Sequence, residues 1–283
     1  MISSSTCFEV YRYQIIPIDR CFQADWVMGI STIEDLISEK NNIFMQTLFE
    51  IEGDFIGRKG LTSKIIATGK DYVLMKIGRR KLLKRETKDF KSEVYDSWPS
   101  LIVFFWNSPD KQFLAVQKKT SVFQSNRTLV KSVENNINNK MKNFQLRSHY
   151  EPLFEKEEFW NLISNEFKNK IDYVVFNLVT PNMAAISASL TEDLKSFAKE
   201  TNTAKTKLKI ESDKDSSLNL TPKNRTLSGL VDYSSKGGGD IAVKLKGVKK
   251  VMHTSSSIKE VYFDEIELDE KNVHLLKELL STL

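Results

Sequence analysis

At 283 residues, 40% hydrophobic and 28% charged, the chain is too apolar for a disordered segment and long enough for one large domain or two ordinary ones. A net charge of +5 is compatible with nucleic acid, an acidic protein or an anionic surface and selects none of them. Two cysteines, Cys7 and Cys21, exclude a disulfide-rich scaffold, leave one intramolecular bridge open, and fit a reducing cytosol.

In chain order, the first signal is Phe8 to Ile18 (FEVYRYQIIPI), which alternates aromatic and polar residues and predicts a strand ended by Pro17. No basic region precedes an apolar core at the N-terminus, so no signal peptide is expected. Ser31-Thr-Ile-Glu34 has capping-box spacing, and Ile33, Leu36, Ile37, Ile43, Phe44 and Leu48 recur at helical spacing behind it, predicting a helix over 32–49. Glycines at 53, 57, 60, 69 and 78 punctuate β-rich runs and predict short antiparallel strands. Leu101–Trp106 and Phe113–Val116 flank NSPDKQ and form a predicted hairpin. Such apolar runs are too short to cross a bilayer, so a soluble, cytoplasmic protein without membrane partners is expected. Residues 125–142 predict a helix with Leu129, Val133, Ile137 and Met141 on one side.

The second half has a clearer rhythm: a helix over 156–168, a strand over 171–179, a helix over 189–200 and a strand over 207–211. A helix over 222–233 follows, with Pro222 in its first turn, then strands over 241–245, 249–253 and 261–266 and a helix over 269–283. The fold class expected is α+β. It has an N-terminal antiparallel β-rich part with flanking helices over 1–148. Over 149–283 it has a β-α-β-α-β part of ferredoxin or RNA-recognition type, with extra strands and a terminal helix. The polar, Pro-containing stretch Arg147–Glu155 marks the boundary.

Two basic segments carry the functional reading. Lys76, Arg79, Arg80, Lys81, Lys84, Arg85 and Lys88 lie within thirteen residues against the single acid Glu86. With Ile77, Leu82 and Leu83 pointing inward, they would form a ridge able to neutralise several phosphates, beyond what protection of an edge strand needs. The second segment is DYSSKGGGDIAVKLKGVKKVMH. Gly237, Gly238 and Gly239 sit between a helix and a strand, with Lys236 before them and Lys244, Lys246, Lys249, Lys250 and His253 after. The glycines follow a helix instead of opening one, so this is neither a Walker loop nor a dinucleotide fingerprint. They serve either as a helix cap and tight turn or as backbone donors to an anion.

On Gly237, Gly238, Gly239 and Gly247, beside basic residues and a histidine, about thirty residues resemble the glycine-rich RNA-binding loop of CRISPR-repeat-processing ribonucleases. They depart from that family's pattern of paired glycines at both loop ends. The resemblance implies RNA or DNA contact. The Asn-, Lys- and Ile-rich composition is that of low-GC bacterial or phage genes, an association with mobile or antiviral systems.

Other chemistry is thinly represented. The three histidines, at 149, 253 and 274, have no metal-ligand spacing, no nucleophile elbow occurs, and no cofactor or metal is expected. His253 is the one candidate acid/base, beside Lys249 and Lys250. Asp110 with Gln117-Lys118-Lys119 lacks the second carboxylate of a metal-dependent nuclease. Trp98, Phe104, Phe105 and Trp106 serve a core or stack bases. Asp264, Glu265, Glu267, Asp269 and Glu270 form the densest acidic patch, either a strand end entering a helix or a surface for a second copy's basic ridge. The leading expectation is a non-catalytic nucleic-acid-binding protein. A regulatory subunit acting through protein contacts or self-association is second, and a metal-independent ribonuclease using His253 third.

Overall fold

Strand β1 (Thr6–Pro17) is the hub of the molecule. In the computed structural model, which describes residues 6–19, 29–163, 170–180, 189–213, 215–263 and 268–283, its two faces divide the core. Tyr11, Tyr13 and Ile15 alternate onto one face, while Phe8 and Val10 point to the other. The remaining early elements are α1 (Ile33–Glu50), β2 (Gly53–Asp54), β3 (Leu61–Gly69), β4 (Tyr72–Arg79), β5 (Lys81–Glu86), β6 (Ser92–Ser97), β7 (Ser100–Asn107), β8 (Gln112–Gln117) and α2 (Asn126–Met141). They are followed by β9 (Leu146–Pro152), α3 (Lys156–Leu162), β10 (Ile171–Val179), α4 (Glu192–Glu200) and β11 (Lys205–Glu211). Last come α5 (Arg225–Tyr233), β12 (Gly239–Leu245), β13 (Val251–His253), β14 (Glu260–Phe263) and α6 (Val273–Ser281). The protein is α+β, and every strand pairing is antiparallel.

The large sheet has the order β14-β1-β8-β7-β4-β3-β2, with β9 also on β1. Phe8–Arg12 pair with β8, while β14 and β9 follow one another along the opposite edge of β1. Helices α1 and α2 cover one face through Phe44, Leu48, Leu129, Val133 and Ile137. Helix α6 covers the other through Val273, Leu276 and Leu280, against Leu74, Phe104 and Ala115. Coverage on both faces explains why LIVFFW and FLAV read as unbroken apolar runs. Phe104 and Phe105 are fully buried, so these aromatics serve the core and not base stacking, and Trp98 alone of the four is half-exposed.

The smaller sheet has the order β11-β10-β12-β13. β11, α5 and β12 form a split β-α-β unit around β10, whereas α4 joins the antiparallel neighbours β10 and β11. Phe159, Phe176, Leu230, Val231 and Tyr233 fill its core. Residue 149 lies inside β9, which pairs with β1 over seven residues, and β14 and α6 return the end of the chain to the first sheet.

Local signals moved by a residue or two. The N-cap of α1 is Thr32, not Ser31: its hydroxyl accepts from Asp35 N at 3.1 Å, and Asp35 Oδ2 accepts from Thr32 N at 2.9 Å. Hydrogen bonding to the Thr32 side chain, then from the Thr32 and Ser31 amides, holds the Asp35 carboxyl below its ordinary pKa. Helix α5 starts at Arg225 with Asn224 as cap, leaving Pro222 in the preceding turn. Cys7 is a free thiol. Cys21 and the 164–168 end of the expected helix fall outside the described residues.

Candidate nucleic-acid interface

Beyond Arg79 the chain leaves the large sheet. β5 and β6 pair only with each other, from Lys81↔Ser97 to Glu86↔Ser92. Backbone bonds from Arg79 N to Pro99 O (3.0 Å) and Arg80 N to Gly60 O (2.8 Å) fix the base of this ribbon. Thr87 N to Lys91 O (2.9 Å) closes its tip, where Phe90 takes a positive φ of 56°.

A two-stranded ribbon has no third layer to bury a face against. The expectation that Leu82 and Leu83 point inward is therefore corrected: they are 65% and 52% exposed, Val94 is 57% exposed, and Phe90 is 91% exposed. Ile77, still within β4, is fully buried as expected.

The cations of the segment do not form one uniform ridge. Lys76 remains on the large sheet opposite Lys64. Arg79 lies 5.3 Å over the Phe123 ring. Arg80 holds Asp96 with two bonds of 2.7 Å, and Lys81 donates to the Ser121 carbonyl. Lys84 and Arg85 are exposed and make no ion pair among the described residues, although Arg85 stands opposite Glu93. The returning strand and tip add Asp89, Glu93 and Asp96 to Glu86. Counting β5 alone overstates the positive charge, because an antiparallel partner superimposes its own charges on the same two faces.

The glycine segment is built for packing. Gly237, Gly238 and Gly239 are buried where the smaller sheet meets β1 and β9. A Cβ on Gly237 would strike Arg12 Cβ, one on Gly238 the Tyr233 ring, and one on Gly239 the Asn177 carbonyl. Gly237 also has a φ of 81°, a left-handed conformation that glycine adopts without cost. This burial corrects the expectation that the three glycines contact phosphate, because their backbones face protein.

Lys236 is likewise engaged. It bonds Asp232 at 2.7 Å, and Lys156 pairs with the same carboxylate. Burial would raise the Asp232 carboxyl, but hydrogen bonds from Lys156, Lys236 and Ser189 bring it down to about 2. Lys244 Nζ donates to Lys249 O at 2.8 Å, and Lys246 Nζ to Ser216 O at 3.0 Å. Lys249 and Lys250 are exposed in the β12–β13 turn. The turn is at the opposite end of β12 from the docked glycines, and the two basic segments belong to different sheets, β5–β6 and β11-β10-β12-β13.

His253 has a partner the sequence did not suggest. Its Nδ1 is 2.6 Å from Asp240 Oδ2, and Asp240 Oδ1 accepts from Ser255 N at 3.0 Å. Cross-strand register between β12 and β13 makes this pair, and thirteen positions of separation hide it. Of the acidic patch, Asp264, Glu265 and Glu267 lie outside the described residues. Asp269 accepts from the Lys271 and Asn272 amides just before α6, as a residue entering a helix N-terminus does. No group of three or more His, Cys, Asp or Glu side chains is placed to hold a metal, and no helix is long and apolar enough to cross a membrane, among the described residues. The chain matches no family model, no curated protein and no solved structure.

Proposed function

We propose that the protein binds nucleic acid and that the β5–β6 ribbon is its principal contact. One observation carries this reading: a two-stranded ribbon stands off the fold with every residue from Leu82 to Asp96 except Thr87 exposed. A ribbon of that width fits the major groove of a duplex. Lys84 and Arg85 supply charge for phosphates, and Leu83, Tyr95 and Phe90 supply apolar surface for bases or sugars. With Lys88 and Lys91, also exposed at the ribbon tip, Lys84 and Arg85 make about four phosphate contacts, and the logarithm of affinity would fall with log salt at a slope of roughly −4.

The test is titration of single- and double-stranded DNA and RNA at two salt concentrations. Binding that weakens steeply with salt, and weakens further in the Lys84→Ala/Arg85→Ala variant, supports the proposal. No binding at low salt rejects it.

The exposed Leu82, Leu83, Val94 and Phe90 favour a second reading, an acidic or self-associating protein partner that pairs with the free ribbon edge. There the Lys84→Ala/Arg85→Ala variant changes sedimentation and leaves nucleic acid unaffected. The His253–Asp240 pair supports the ribonuclease reading only in orienting a ring. Metal-free RNA cleavage that survives His253→Ala eliminates it.

A further inference from the structure

Along the unpaired edge of β9 runs a cleft that the ribbon does not use. Two sequence periods meet there. Arg127, Lys131, Glu134 and Asn138 recur every three to four residues down one stripe of α2, while Leu129, Val133 and Ile137 face the core. Arg147, His149 and Glu151 alternate along one side of β9. Asn138 joins the two elements through bonds to Ser148 N (2.7 Å) and Ser148 O (2.9 Å). Lys205, at the start of β11, and Arg58, in the loop after β2, line both parts of the cleft. The cleft is about 440 Å³ beside Glu151 and opens past Arg58 and Lys131 into a wider part of about 760 Å³ beside His149. Each part has the size of a small-molecule site.

The rim is cationic. Arg58 and Arg127 are exposed and make no ion pair among the described residues. Lys131 holds Glu134 at 2.6 Å, and Lys205 lies 3.9 Å from Glu151. The floor holds His149, 7% exposed, with neither ring nitrogen hydrogen-bonded; Glu134 Oε1 lies 3.9 Å from its Nδ1. Burial first, then the charges of Lys205, Arg147 and Lys131, keep this imidazole neutral, with its pKa lowered to about 4. A buried polar ring without partners costs free energy, and such groups in ligand clefts find their partner in the ligand. The cations outnumber the carboxylates, which selects an anion. The two carboxylates call for hydroxyl or amine donors on the same molecule.

We propose that this cleft binds a small phosphomonoester carrying hydroxyl groups, of sugar-phosphate or mononucleotide size. The phosphate meets Arg58 and Arg127 in the part beside Glu151, and the hydroxyls meet Glu134, Glu151 and the His149 ring. The site is independent of the ribbon.

The experiment follows the ring signals of His149 by NMR in the full chain during titration with ribose 5-phosphate, adenosine 5′-monophosphate, inorganic phosphate and a short single-stranded oligonucleotide. Saturable shifts with ribose 5-phosphate or the mononucleotide are expected. Affinity should fall at least about tenfold in Arg58→Gln/Arg127→Gln, each arginine contributing a charge-assisted contact. Both arginines are exposed, and an unchanged melting temperature confirms that this variant is folded. No shift with either organic phosphate, or a shift that persists at full affinity in the variant, overturns the proposal. Inorganic phosphate binding as tightly as ribose 5-phosphate refutes the roles of Glu134 and Glu151. Binding of the oligonucleotide alone replaces the small-molecule site with a strand groove.

Discussion

Arg80 reaches across the base of the ribbon and grips Asp96 through both Nε and Nη2, at 2.7 Å each. The bond satisfies a guanidinium that would otherwise be free for phosphate. Asp96→Asn should release it, strengthening nucleic-acid binding and steepening the salt slope by about one. Fluorescence anisotropy at three salt concentrations reads both quantities. Weaker binding would mean that Asp96 orders the ribbon more than it competes for Arg80.

The glycine corner carries a stability prediction with the opposite functional sign. Gly237→Ala places a Cβ against Arg12 in a backbone conformation that disfavours it, and should cost about 1–3 kcal/mol in denaturant unfolding. The folded fraction should bind nucleic acid with unchanged affinity. A selective loss of binding at full stability would return the glycines to the ligand surface.

Helix α6 belongs energetically to the first sheet. Lys277 bonds Asp71 at 2.8 and 2.9 Å, and Trp106 Nε1 donates to the same carboxylate at 2.9 Å. Leu276, fully buried, packs behind this tether. Leu276→Ala should destabilise the fold by about 2–5 kcal/mol. Hydrogen exchange should quicken in β4 and β7, strands of the sheet α6 covers, before it does in β10. Faster exchange in β10 alone would contradict that coupling.

The cleft imposes opposing pH slopes. Burial pushes the Glu151 carboxyl up to about 7, against the pull of Lys205. The folded state therefore binds a proton that the unfolded state has lost, and stability falls as pH rises from about 4.5 to 7. His149, lowered to about 4 chiefly by burial, acts the other way and loses stability as pH falls from about 6.5. Relative to the natural chain, Glu151→Gln should gain about 3 kcal/mol at pH 8 over its value at pH 4.5. Urea unfolding at the two pH values measures this, and an equal effect at both would show a carboxyl with the same pKa in the folded and unfolded chain.

Much of the secondary structure was legible because periodicity is a local property. Alternation in FEVYRYQ and the four-residue spacing of Leu129, Val133, Ile137 and Met141 record which face each element buries. What depended on distant partners was hidden. RSHYEP resembled a linker because a half-polar edge strand looks like one, and only pairing with β1 reveals it. Leu82 and Leu83 looked like core because no local signal says that a hairpin lacks a covering layer. The three glycines suggested a ligand because Arg12, Tyr233 and Asn177, which require them, are remote or lie in a preceding turn. His149 reads as a lone histidine in the sequence, although the polar stripe of α2 and the alternation of Arg147, His149 and Glu151 are both present there.

The most direct measurement of the central claim replaces residues 82–96 by Asn-Gly, a turn that closes Lys81 onto Ser97. The ribbon contributes nothing to any of the three apolar clusters, so the melting temperature should hold. Nucleic-acid affinity should drop by at least about tenfold, with a visibly shallower salt slope. Unchanged affinity and slope in the folded variant would contradict the assignment of binding to the ribbon.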